Sequence, residues 1–242
     1  MESQEPASQL LLWEQGLILL FCFHALGAAF AFFAFWLPLC SDKGSLFHIH
    51  AGWTFLTGAV IASCSSALIA WFLLYNPIAP EEGLALFAFR LFLALWTLIS
   101  LTQAIGAIRS HRTSFYGGKE LQLALSFLLF FSAMVISCLG MISSNLFMTL
   151  FPGLALFASL WQVHYWRDFP ATAPDWLFTH MRSMFAAALA LLTGFFTTTL
   201  PYLTFGHLQG PFVSSFPILL LLPFFLYWEL YTAKEFPKDK DA

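Results

Sequence analysis

Charge is what this chain has least of. Lys and Arg number 10 and Asp and Glu 13 in 242 residues, so 10% of the chain is charged, where a soluble domain carries about a quarter. So few charges cannot clothe a water-soluble fold, and 30 Phe in a chain that is 60% hydrophobic overfill a single globular core. No basic tract accompanies the net charge of −3, which excludes the electrostatic footprint of a nucleic-acid-binding protein. Cysteine is scarce as well. Cys22, Cys40, Cys64 and Cys138 stand apart with no C-x-x-C, and read as small buried hydrophobes. H-E-x-x-H and C-x-x-C-H are both absent. MESQEPASQ, the acidic start, lacks the basic region of a signal peptide, so the first apolar run is expected to stay in the mature protein.

What the chain has instead is long apolar runs. A helix crossing about 30 Å of hydrocarbon needs about 20 residues. Runs of that length at 16–39, 51–75, 83–108, 121–143, 145–167, 176–203 and 211–231 predict an all-α membrane protein: a bundle of about seven transmembrane helices in one domain over 1–242, with the lipid bilayer as its partner. Protein partners are not readable. Turn and charge signals divide the runs: SDKGS, NPIAPEEG, RSHRTSFYGGKE, SN, RDFPATAPD and TFGHLQGP. The SN hairpin is short, with Ser143, Ser144 and Asn145 as cap residues. Lys43, Arg109, Arg112, Lys119, Arg167, Arg182, Lys234, Lys238 and Lys240 all fall on one side of this arrangement. Basic residues are retained in the cytoplasm, so the N-terminus is expected outside and the C-terminus inside. No span carries a Lys, which excludes a retinal Schiff base.

Small residues at Gly27 and Ala31, and at Gly58, Ala62 and Ser66, form stripes that let helix backbones approach. Pro152, Pro217 and Pro223 fall inside spans, where proline kinks a helix or leaves a carbonyl unpaired.

Ionisable groups inside spans are costly and become functional candidates. They sort into two depths. His24 and Arg90 lie about 10–12 Å inside the outer face by helical rise, with Ser63, Ser65, Ser66 and Thr197, Thr198, Thr199 in reach of that level. They form an outer polar pocket if the helices converge. Alternatively, Arg90 reaches outward to Glu81 or Glu82 and His24 bonds a neighbouring carbonyl. The cytoplasmic layer holds His48, His50, His164, Tyr165 and His180, with Arg112, Asp168, Asp175, Arg182 and Glu229 near the same level and Gln103 deeper. Three imidazoles beside a carboxylate suit zinc, and two facing imidazoles suit a haem iron. Histidines at an interface also stand without any ligand. His48 and His50 are two apart and point to different helix faces, so at most one serves.

FHALGAAFAFFAFWLPLCSDKGSLFHIHAGW, residues 23–53, resembles a family of uncharacterised bacterial multi-span membrane proteins, a domain of unknown function. Its pattern is an H-x-x-x-G-like stretch, a Lys-Gly loop, and L-H-R-x-L-G-[WR] opening the next span. His24, Lys43, Gly44, His48, Gly52 and Trp53 match it, and Ile49 departs from it. WLFTHMRSMFAAALALLTGF, residues 176–195, resembles the family's W-x-x-x-H-x-x-x-M span through Trp176, His180 and Met184. The resemblance implies a bacterial inner (plasma) membrane, nominates His24, His48 and His180, and implies no established activity.

Three functions fit these residues. One is a polytopic protein binding haem or a single metal ion through His48 and His180, with His164 as a further ligand and Asp168, Asp175 or Glu229 orienting an imidazole. Another is a small transporter or sensor using His24 and Arg90, the histidine switching near pH 6.5, although no inverted repeat is evident. The last is a zinc-dependent lipid hydrolase with His48, His164 and His180 as ligands and Glu229 as base.

Overall fold

The computed structural model describes residues 5–74, 84–112, 118–168, 175–204, 206–208 and 210–236. NPIAPEEG with Glu81 and Glu82, the centres of RSHRTSFYGGKE and RDFPATAPD, the Arg112 side chain, Lys238 and Lys240 lie outside the description. The described elements are all helical: α1 (Glu5–Leu39), α2 (Leu46–Leu74), α3 (Leu84–Arg112), α4 (Lys119–Ile142), α5 (Leu146–Leu150), α6 (Pro152–Arg167), α7 (Asp175–Gly194), a π-helical turn (Phe195–Thr199), α8 (Leu200–Leu203) and α9 (Pro211–Glu235). Seven stretches are long and apolar enough to cross a membrane: Gln15–Leu39, Leu46–Phe72, Leu84–His111, Lys119–Ile142, Leu146–Arg167, Asp175–Thr199 and Pro211–Glu235. Phe30, Phe33, Phe131, Phe157 and Leu230 are among many large apolar side chains left exposed. Water would penalise such a surface and hydrocarbon does not, so the chain fits a polytopic membrane protein.

Local chemistry sets the helix ends. Ser45 caps α2: its Oγ accepts from the His48 backbone N–H at 3.2 Å. The second span therefore opens at Leu46, five residues before the position expected from hydropathy. Gly44 precedes that cap with φ +80°, a left-handed conformation open to glycine without a Cβ penalty. Asn145 caps α5, its Oδ1 accepting from the Met148 N–H at 3.0 Å. The α4–α5 hairpin closes tightly at Gly140, where a Cβ would meet the Met148 and Thr149 backbone at 2.5 Å.

Pro152 lies inside the span Leu146–Arg167, where it opens α6 just after α5 ends; at a first helical turn the missing N–H is one of the orphaned donors. Pro217 and Pro223 lie within α9. The four cysteines are exposed rather than buried; on a membrane helix the outer face meets lipid, where a small apolar thiol is at ease. The π turn has a local cause in Pro201, which cannot donate to Thr197 and crowds its carbonyl. Thr197 and Thr198 also donate back to the Thr193 and Gly194 carbonyls, at 2.6 and 2.5 Å.

The chain groups into two compact units, residues 1–94 and 95–242, the division falling within α3. In the first, α1 packs on α2 through Gly27, Ala31, Gly58 and Ala62, all buried. A Cβ on Gly58 would sit 2.7 Å from the Gly27 carbonyl oxygen and from the Ala31 nitrogen. In the second unit α4 turns Gln122, Ser126, Leu129, Ala133, Ile136 and Gly140 inward, a stripe of alternating four- and three-residue steps suited to a shallow crossing. Its core is polar at one level. Gln103 donates to the Gln122 carbonyl and the Ser126 hydroxyl, each at 3.0 Å, and accepts from the Trp166 indole N–H.

Candidate functional site

Three helices of the second unit end around one pocket of about 390 Å³. Helix α6 contributes Trp161, His164, Tyr165 and its C-cap Asp168, and α7 contributes Asp175, Phe178, Thr179 and Arg182. Both sets have the spacing i, i+3, i+4, i+7. With about 3.6 residues per turn, that spacing keeps all four side chains on one face over two turns. Glu229, Ala233 and Phe236, at i, i+4 and i+7, do the same at the end of α9.

An ion pair forms the inner wall. Arg182 Nε donates to Glu229 Oε2 at 3.0 Å, and Nη2 donates to Oε1. Both side chains are 23% exposed. The guanidinium lies 3.7 Å from the centre of the Trp161 ring and 5.2 Å from that of Phe178, within the range of a cation–π contact. This fork uses two of the guanidinium's three nitrogens. The buried Nη1 has no hydrogen-bond partner among the described residues, and neither has the Thr179 hydroxyl, on a side chain 1% exposed.

The outer wall is acidic. Arg167 Nε donates to Asp168 Oδ1 at 2.8 Å, and His164 Nδ1 lies 3.1 Å from Asp168 Oδ2. The hydrogen bond from Arg167 holds the Asp168 carboxyl below the ordinary range. Asp175 opens α7, where the helix N-terminus favours a carboxylate. The Tyr165 hydroxyl lies 3.3 Å from Ser110 Oγ.

The structure thus brings together His164, Tyr165, Asp168, Asp175, Arg182 and Glu229 from the expected cytoplasmic layer. Other members of that layer are held elsewhere. His180 places Nδ1 3.2 Å from the Ala104 carbonyl on α3. His48 belongs to the first unit, half-buried, with Nδ1 3.3 Å from the Pro38 carbonyl; His50 is exposed, as their two-residue spacing requires. Lys43 donates to the same Pro38 carbonyl at 2.6 Å, so two residues of the resemblance motif converge on the C-terminal end of α1. Loss of hydration lowers the Lys43 pKa. A carbonyl only accepts, so in both contacts the histidine Nδ1 is the donor.

His24 takes the local role open to it. Its Nδ1 lies 2.9 Å from the Ala62 carbonyl and 3.5 Å from Ser65 Oγ, which ties α1 to α2 beside the Gly27–Gly58 crossing. Arg90 is half-buried on α3. Among the described residues no group of three His, Cys, Asp or Glu is placed to hold a metal ion.

Sequence reading missed Trp161, Phe178, Thr179, Ala233 and Phe236. The signal was present as the repeated two-turn spacing on α6 and α7. No protein-family model matches the chain, and no curated protein or solved structure matches it significantly.

Proposed function

We propose that this is a small-molecule-binding membrane protein of the transporter or sensor class, whose working site is the pocket between α6, α7 and α9. One observation carries the reading: three helices spend two-turn stripes on a single concavity that gathers Arg182, Glu229, Asp168, Asp175 and His164. Charged groups within membrane spans are costly and mark ligand pathways, and a pocket of 390 Å³ is within the roughly 300–1,000 Å³ range of small-molecule sites. The bias of Lys and Arg supports a cytoplasmic pocket and C-terminus with the N-terminus outside. The resemblance of residues 23–53 and 176–195 to a bacterial family supports the inner membrane.

The experiment is sided labelling of Ala233→Cys with the four native cysteines replaced by alanine. A membrane-impermeant maleimide should react in inverted vesicles and fail in intact cells. Reaction from outside would reverse the orientation; reaction from neither side would mean no water-accessible pocket and end the reading.

A further inference from the structure

We infer that the pocket takes an uncharged molecule that presents a carbonyl oxygen on an apolar body (an amide, ester or ketone), with the oxygen seated between Thr179 and Arg182. The inference rests on the binding reading above and names the class of ligand.

What the pocket leaves open is hydrogen-bond donors. Arg182 Nη1 and the Thr179 hydroxyl are buried with no hydrogen-bond partner among the described residues. Thr179 is the more telling of the two. Thr197, Thr198 and Thr204 each donate to the carbonyl four residues back, a common resort of a helical hydroxyl, and Thr179 does not. Thr179 and Arg182 are three apart on α7 and share a face, about 6 Å and about 10 Å along the helix from Asp175. A carbonyl oxygen has two lone pairs, so a single one answers both donors at the inner end of the pocket.

The charged groups of the lining already have partners of opposite sign. Arg182 is forked on Glu229, and Asp175 acts on it electrostatically as well. Asp168 is bonded to Arg167 and lies beside His164. A carboxylate or phosphate ligand would offer the same lone pairs, but it would bring its charge beside the carboxylates that already act on Arg182, against Coulomb repulsion. An ammonium has donors only and would leave Arg182 Nη1 and Thr179 as they are. An uncharged acceptor answers both donors and disturbs no ion pair. Tyr165, Phe178 and Phe236 supply walls for its apolar body.

The test follows maleimide labelling of Ala233→Cys, the native cysteines replaced by alanine, in phosphatidylcholine nanodiscs. The probes are biphenylcarboxamide, biphenylcarboxylate and biphenylmethylammonium, alike in size and different in charge. At concentrations well above its Kd the amide should slow labelling by more than about tenfold. Each charged probe should need at least about ten times the concentration for equal protection. Every rate is divided by the unliganded rate of the same variant. On that scale Thr179→Val should weaken protection by the amide about fivefold, the loss of one hydrogen bond, while Thr179→Ser should retain it. Equal or stronger protection by either charged probe would overturn the uncharged ligand and leave the binding site standing. Undiminished protection of Thr179→Val would overturn the seat of the oxygen. No protection by any probe would overturn the carbonyl ligand too, while a reactive Ala233→Cys would still report an open pocket and keep the binding reading.

Discussion

Replacing Gly58 by alanine should destabilise the first unit, although alanine is the better helix former. In a helix interior the exchange of Gly for Ala is favourable by up to about 1 kcal/mol. Against this, the added methyl at Gly58 would stand 2.7 Å from the Gly27 oxygen, 2.7 Å from the Ala31 nitrogen and 3.2 Å from the Ala31 Cα. All three are backbone atoms, so no rotamer change relieves the contact and α1 must move away. Overpacking of this kind costs about 1–3 kcal/mol. Separation also stretches the 2.9 Å bond from His24 to the Ala62 carbonyl, with interhelical bonds in membranes worth about 0.6 kcal/mol on average. The net expectation is a loss of about 1–2 kcal/mol. Gly52 on the same helix is the control, since a Cβ there meets nothing within 4 Å; Gly52→Ala should be neutral or stabilising. Reversible unfolding in mixed micelles titrated with SDS measures both. Equal behaviour of the two variants would refute the close crossing.

Other consequences follow from the second unit and the histidines. Glu229→Ala removes the hydrogen-bonded carboxylate of the half-buried Arg182 and should cost about 2–4 kcal/mol in the same titration; Glu229→Gln, which still accepts one bond, should cost less. Gln103→Leu removes the acceptor of the Trp166 indole and the donor to Gln122 and Ser126, an expected loss of about 1–3 kcal/mol, and a change below a few tenths would discount that network. His48→Ala should lower stability by under about 1 kcal/mol through the lost bond to Pro38, and His50→Ala should not change it. Mass-spectrometric metal analysis of protein purified without chelator should find neither iron nor zinc near one per chain; a stoichiometric metal lost in H48A would return the histidine-centred reading.

The spans were legible because hydrocarbon thickness imposes one length on every crossing, and apolar runs show that length directly. The Gly27–Ala31 and Gly58–Ala62 stripes were legible for a similar reason: small residues at four-residue spacing on neighbouring helices have few uses other than close approach. The start of α2 was not, because hydropathy registers the bulk of a helix and not its cap, and Ser45 reads as loop. The pocket was half legible. Counting residues from helix ends gives depth, and depth grouped His164, Asp168, Asp175, Arg182 and Glu229. Depth alone cannot give azimuth. Thr179 and His180 are neighbours at one level, yet a rotation of about 100° between them turns one to the pocket and the other to α3. Phe178 was hidden by abundance, one of 30 Phe with no distinguishing neighbour.

The most direct measurement of the central claim is a crystal structure of the full chain grown from a lipid mesophase. The account predicts an open concavity between Trp161, Phe178 and Glu229, occupied by a ligand with an oxygen on Arg182 Nη1. Side chains filling that space, with Arg182 Nη1 bonded to a protein acceptor instead, would contradict it.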